Sequence, residues 1–412
     1  MKKTAKEKNF IPADFMSALV NEELAQDSFY HPNLAGITQG GMANHYPMTI
    51  MAMQALGASD GEIITFRDAW PRHRADISQE LGLADAKEVT TENWRQYLGQ
   101  SDKLIEFRRV FLHQLSQGDV AEVVTGLVDA MKGSLPMGLF HPLIRLSFAC
   151  EHGDPGLIAD ALAYMAIRYQ ELYFQEPKAA PLVAEPSGSC ALGFSSLSGA
   201  GASWSSIRQW LQKEHLPGRL SRNIYGGSIS ICEQLCREPV VHRLALGTGS
   251  ELNEQKLSLL MSGVCQSAAR LYVFEPALTT LHGVTASQAL AQLTLRYANR
   301  ENRQIYARLW RYFWVWLTAL YIEKGCPWLA DLFSAADSAN KQEEKEVKSV
   351  EQYQQENLTA GQLQLSNWPK LKRLALRSQE VHVMKMVYSC YWLYNNVSQE
   401  QCFQLAAIKA LP

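Results

Sequence analysis

Apolar residues recur along this chain at helical spacing. Over 119–132, Val120, Val123, Val124, Leu127, Val128 and Met131 fall on one stripe, as in an amphipathic helix. Asp154-Pro155 opens a second helix, since proline is tolerated in a first turn, and Leu157, Ala161, Leu162, Met165 and Tyr169 continue it. The same spacing predicts helices over 43–56, 287–297, 302–322 and 380–394. No series of alternating strands with hairpin turns occurs, and no strand–helix alternation of the kind a doubly wound sheet requires. The pattern predicts an all-α protein, a single compact multi-helix domain over residues 1–412. Two stretches interrupt it. Residues 185–206 are rich in Gly and Ser and read as a loop or flap. Residues 335–356 are strongly polar (KQEEKEVKSVEQYQQE from 341) and read as an exposed helix or a disordered excursion.

Composition narrows the function. The 39 basic and 41 acidic side chains nearly balance, which leaves no basic field for nucleic acid or an anionic membrane. With 47% hydrophobic and 19% charged residues, a large buried core is expected. Met1-Lys2-Lys3 starts like a secretory leader, but Lys6, Glu7 and Lys8 stand where its apolar core would begin. The apolar run 312–322 ends at Glu323-Lys324, short of the roughly 20 residues that span a bilayer. Of eight cysteines only Cys232 and Cys236 lie close together, at helical spacing and without a CxxC pair. They read as reduced thiols packed as small hydrophobes. The expected setting is cytoplasmic, and the expected partner a small molecule.

Ten histidines remain to be placed. His31, His73, His113, His152, His215 and His242 lie in polar segments or at helix ends, where an exposed imidazole costs little. His45, His141, His282 and His382 sit instead in strongly apolar contexts on four separate helical segments. Each alone reads as a core histidine bonded to a carbonyl. Together they suggest a metal site between helices, because bundles aim ligands inward from facing helices and imidazole suits Zn, Cu, Fe and Ni. Lys385 follows His382 by three residues and shares its helix face. Buried there, it would tend to lose its charge, and a neutral lysine can add carbon dioxide to become a carbamate ligand. The alternatives are that it snorkels to the surface or pairs with Glu380.

Other chemistry is poorly supported. Leu244-Ala245-Leu246-Gly247-Thr248-Gly249 starts like a glycine turn, but Leu252 holds the third glycine position and no βαβ unit surrounds it. P-loop, GxSxG and HExxH motifs are absent from the sequence. The aromatic run Trp310, Tyr312, Phe313, Trp314, Trp316 covers more than one helix face, as core packing or as part of a pocket wall.

Four blocks carry a resemblance. They are NHYPM with ALGAS over 44–59, LFHPLIRLSFACEHGDPGLIADALAYMA over 139–166, LTTLHGVTASQAL over 278–290, and NWPKLKRLALRSQEVHVMKM over 367–386. In these the chain resembles the questin oxidase-like family, whose fungal members open the central ring of anthraquinones. The resemblance implies a helical non-haem iron dioxygenase, with Fe(II) bound by four histidines and a carboxylated lysine. By motif these fall on His45, His141, His282, His382 and Lys385. Such a set leaves one of six octahedral positions open for dioxygen, whereas zinc usually takes four ligands. Asn44 and Arg145, near the histidines in sequence, are candidates to fix ring tautomers. The family also carries a Baeyer–Villiger label, under which NADPH would reduce the substrate, with a separate reductase as partner.

The sequence departs from the family pattern in three places. Met42, Pro47 and Met48 surround His45 without further histidines, Gln379-Glu380 replaces an acidic pair, and residues 185–206 have no counterpart. These fall on the substrate side, so the expected substrate is a polycyclic aromatic or quinone-type metabolite. The rivals are a non-catalytic helical binding protein with structural histidines and a structural four-histidine zinc site.

Overall fold

Helix-start chemistry is written plainly into this chain. Asp119, Asp154, Asn253 and Asn367 each accept a main-chain N–H three residues ahead, at 2.9–3.0 Å, and each opens a helix. Ser59 and Glu62 form a reciprocal capping box. The computed structural model describes residues 16–36, 42–70, 74–78, 88–172, 231–232, 235, 253–325 and 367–412. Among them are thirteen α-helices, short 3-10 turns, two isolated bridges and no strand. The all-α prediction therefore holds.

In chain order the helices are α1 (Ala18–Asp27), α2 (Tyr46–Ala55), α3 (Asp60–Ala69), α4 (Leu104–Gln117), α5 (Val120–Ala130), α6 (His141–His152) and α7 (Pro155–Ile167). Then come α8 (Glu254–Phe274), α9 (Leu278–Tyr297), α10 (Arg303–Glu323), α11 (Trp368–Ser378), α12 (Val381–Asn396) and α13 (Gln401–Ala410). All six predicted helices are present, with shifted ends. α2 starts at Tyr46 because Ala43 pairs with Asn33 in a bridge and Pro47 favours a first turn. α9 starts nine residues before the expected Ser287, since it is buried on nearly all sides and shows no polar stripe to mark its first turns. α8 was not foreseen. It is long and apolar enough to cross a membrane by length and composition, with 61% of its apolar window packed inside the protein. The stretches 185–206 and 335–356 lie outside the described residues.

The packing order positions the site. α9 runs through the middle, against α6, α8, α10 and α12, while α2 packs on both α6 and α12. Helices α2, α6, α9 and α12 thus close a cycle of four neighbours. The aromatic run of α10 is buried throughout, and it wedges the turn before α6: Phe140 meets Trp316 edge-on at 4.4 Å and Phe313 at 5.3 Å between centroids.

A buried ionic cluster ties α1, α2, α6 and α7 together. Arg145 donates to Asp160 from Nε (2.9 Å) and reaches Asp27 at 3.3 Å. Asp27 also accepts from Asn44 (2.8 Å) and Arg74 (3.0 Å). Burial pushes the Asp27 carboxyl up, and Arg145 opposes that shift. Removing Arg145 would take one charge partner from each of two buried carboxylates, leaving Asp160 with Arg108 at 3.4 Å and Asp27 with Arg74 and Asn44. Arg145→Leu is expected to lower the unfolding free energy by about 3–5 kcal/mol in a denaturant titration. Arg373→Ala, which breaks only the exposed pair with Glu62, should cost under about 0.5 kcal/mol.

Candidate metal centre

Four histidines stand at or near the starts of the four helices in that cycle. His45 is the residue before α2, His141 opens α6, His282 lies in the second turn of α9, and His382 is the second residue of α12. Their rings follow the helix cycle. Centroids are 4.6 Å apart for His45–His141, 4.6 Å for His141–His282, 5.4 Å for His282–His382 and 4.8 Å for His45–His382. Donor nitrogens of His45, His141 and His382 all lie within 4.8 Å of one another. His282 joins through Nε2, 3.1 Å from Nε2 of His141.

Hydrogen bonding fixes which nitrogen carries the proton. Nδ1 of His141 meets the Gly138 carbonyl at 2.6 Å, and Nδ1 of His282 meets the Leu278 carbonyl at 2.7 Å. A carbonyl can only accept, so both Nδ1 atoms are protonated and both Nε2 atoms present lone pairs. Nε2 of His141 and Nε2 of His282 then face each other as two acceptors. Protonating a ring would relieve this, but burial, with a smaller push from Lys385, holds His141 down to about 3. Burial and the neighbouring His141 likewise keep His282 well below its ordinary value. A cation shared between the lone pairs satisfies both, so the residues present fit a metal ion.

The His141 bond depends on unusual backbone. Gly138, Leu139 and Phe140 have φ of 60°, 52° and 61°, three left-handed residues in a row. For Leu139 and Phe140 this costs on the order of 1–2 kcal/mol each, and the burial of Phe140 against α10 offsets it. A Cβ at Gly138 would press on Pro142 and Arg168 at 3.3–3.4 Å. The turn aims the Gly138 carbonyl at the ring it must hold.

Lys385 is 2% exposed, which excludes snorkelling. Its Nζ lies 2.6 Å from Nδ1 of His45, and among the described residues no carboxylate pairs with it. Burial lowers its pKa to about 7, with the charge of Glu380 acting the other way. His45 is itself held well below its ordinary value by burial and by Lys385. His382 is the exception in exposure, its side chain 24% open, with Nδ1 donating to Glu380 Oε1 at 3.2 Å.

Two expectations need correction. Asn44 and Arg145 touch no histidine ring among the described contacts. They meet through Asp27, where Asn44 fixes the chain at Tyr46 and Arg145 holds α6 to α7. The ring partners are two main-chain carbonyls, Glu380 and Lys385. His31 is also buried, at 2%, with its Nδ1 accepting from the Asn33 N–H, rather than lying exposed. His113 is exposed and His152 half-buried against Asn21, while His73, His215, His242 and the glycine turn at 244–249 lie outside the described residues.

Without metal, the buried rings refuse protons that the unfolded chain accepts below about 6.5. The unfolded state then binds more protons, so stability should fall as pH drops from 6.5 toward 3. His141→Asn removes one such site. In chelator-treated protein its stability should fall less steeply between about pH 6 and 4, by up to about 1.4 kcal/mol per pH unit, as read by urea titrations. Saturating divalent metal should raise the wild-type unfolding temperature, and His282→Ala should lose most of that rise.

The site's residues fall within one family match. The questin oxidase-like family model matches residues 42–390. The questin oxidase of Aspergillus terreus (strain NIH 2624 / FGSC A1156) is 27% identical over 135 residues, covering 30% of this chain and 29% of that protein. The Baeyer-Villiger monooxygenase AacuH of Aspergillus aculeatus (strain ATCC 16872 / CBS 172.66 / WB 5094) is 29% identical over 131 residues, covering 30% of this chain and 27% of that protein. The alignments thus span under a third of these relatives' lengths. The family match, by contrast, takes in the four clustered histidines and Lys385, and the chain belongs to the questin oxidase-like family.

Proposed function

We propose that this protein is an oxidoreductase that uses dioxygen to oxygenate or cleave a polycyclic aromatic or quinone-type metabolite. Its metal would be ferrous iron held by His45, His141, His282, His382 and Lys385. The observation that carries this reading is the pair of imidazole lone pairs facing each other at 3.1 Å, inside a ring of four histidines. The relatives, a questin oxidase and a Baeyer-Villiger monooxygenase, support redox chemistry over a structural zinc site.

Iron bound here would supply the electron-transfer chemistry toward dioxygen that closed-shell side chains lack. The protein's own groups do the rest. Main-chain carbonyls hold His141 and His282 in one tautomer, and the packed ends of α2, α6 and α9 keep bulk water from three of the rings. The half-open His382 side is where a substrate would approach. Lys385 would serve as its carbamate. The neutral amine attacks carbon dioxide, an N–C bond forms, and one proton leaves to water, giving an anionic oxygen donor. Burial keeps much of the amine neutral near pH 7, as that addition requires.

Electrons for a quinone substrate would come from a separate reductase using NADPH. Direct NADPH oxidation is the second reading, favoured by the Baeyer-Villiger name of one relative. Consumption of NADPH by the isolated protein, with no reductase added, would select it.

Metal analysis of untagged protein should find near-stoichiometric iron, lost in His282→Ala. Oxygen uptake with a reduced quinol should then fall by more than about a hundredfold in His282→Ala and Lys385→Ala, beyond the 10–100-fold typical of losing an outer partner. Folded wild-type protein that cannot be loaded with ferrous iron would sink the proposal.

A further inference from the structure

We propose that Glu380 is a positioning residue that locks His382 onto the metal and so sets how fast the metal leaves. This rests on the metal-centre reading above. The four rings are not held alike. His141 and His282 are pinned by main-chain carbonyls, and His45 is buried against Lys385. Only His382 is held by the side chain of an exposed residue, 51% open to solvent, and only its ring is appreciably open itself. A metal ion leaves by losing ligands one at a time, and the ring that can swing into water goes first.

The two carboxylate oxygens of Glu380 have separate tasks. Oε2 caps α12, accepting from the N–H groups of His382 and Val383, both at 2.9 Å. Oε1 accepts from His382 Nδ1. The backbone beneath is fixed independently. Gln379 is left-handed at φ 54° with its amide donating to the Leu376 carbonyl, and the Glu380 N–H donates to Ser378 Oγ, itself bonded to the Ala375 carbonyl. The corner between α11 and α12 is therefore held by the Gln379 and Ser378 side chains besides the cap, while the second oxygen of Glu380 sets the ring. The arrangement matches the carboxylate–histidine–metal pattern, in which the outer acceptor orients the ligand and raises its basicity.

The two tasks can be separated. Serine is a favoured cap, so Glu380→Ser keeps the cap but cannot reach the ring. Glu380→Gln keeps the length but offers either an oxygen or an N–H at each position. Wild type and both variants would be loaded with ferrous iron without oxygen, then mixed with excess ferrozine, and iron release followed by colour. Release should be about 10–100-fold faster in both variants. The chelated Glu380→Ser protein should unfold at the wild-type temperature, a combination that loss of a cap alone would not give. Cobalt(II) in place of iron should show shifted visible bands in Glu380→Ser. If Glu380→Ser fails to fold, Glu380→Gln decides by the same release rate. Folded variants that release iron at the wild-type rate would overturn this role and leave the metal centre standing. A wild type that takes up no ferrous iron would overturn both.

Discussion

Everything at the centre of this protein depends on where two imidazole protons are. Each Nδ1 of His141 and His282 is committed to a carbonyl, so the opposite lone pairs must meet in the interior. Two acceptors 3.1 Å apart repel unless something positive lies between them. The fold makes that arrangement unavoidable, since the helices bearing the rings are packed in a closed cycle in which α6 and α9 are neighbours. An electrostatic conflict is thus built into the core, and a cation between the rings would resolve it.

The helix starts add to this. All four rings stand at or near N-termini, where unpaired N–H groups give a positive end to the helix dipole. For His45, His141 and His282 the burial and Lys385 disfavour imidazolium in the same sense, so those three rings remain available as neutral donors. The helix-end field also helps an anionic oxygen donor more than a neutral one, which suits a lysine converted to its carbamate. The aromatic run of α10 contributes mechanically. By burying Phe140 it holds the left-handed turn that aims the Gly138 carbonyl.

Much of this was legible in the sequence. Histidines in apolar helical segments were a good signal because a buried imidazole must be used, and here each of the four rings has a hydrogen-bonding partner at Nδ1. Lys385 could be read from its three-residue spacing to His382. The partners could not. Main-chain carbonyls have no sequence signature, so Asn44 and Arg145 were the visible polar neighbours although they serve Asp27 instead. The turn before His141 showed only one glycine, with nothing to mark Leu139 and Phe140 as left-handed. α8 escaped because Ser258, Ser262, Gly263 and Ser267 interrupt its apolar pattern, although Ser267 is itself buried.

The pairing of His45 with Lys385 joins positions 340 residues apart. A chain emerging from the ribosome therefore carries His45 long before His382 and Lys385 exist, and the two middle histidines wait between them. No partial chain ending before residue 382 holds the full set. Any metal uptake there would mark only a chain whose early and late helices have already found each other, and the closing of so long a loop makes this cluster one of the last features to form.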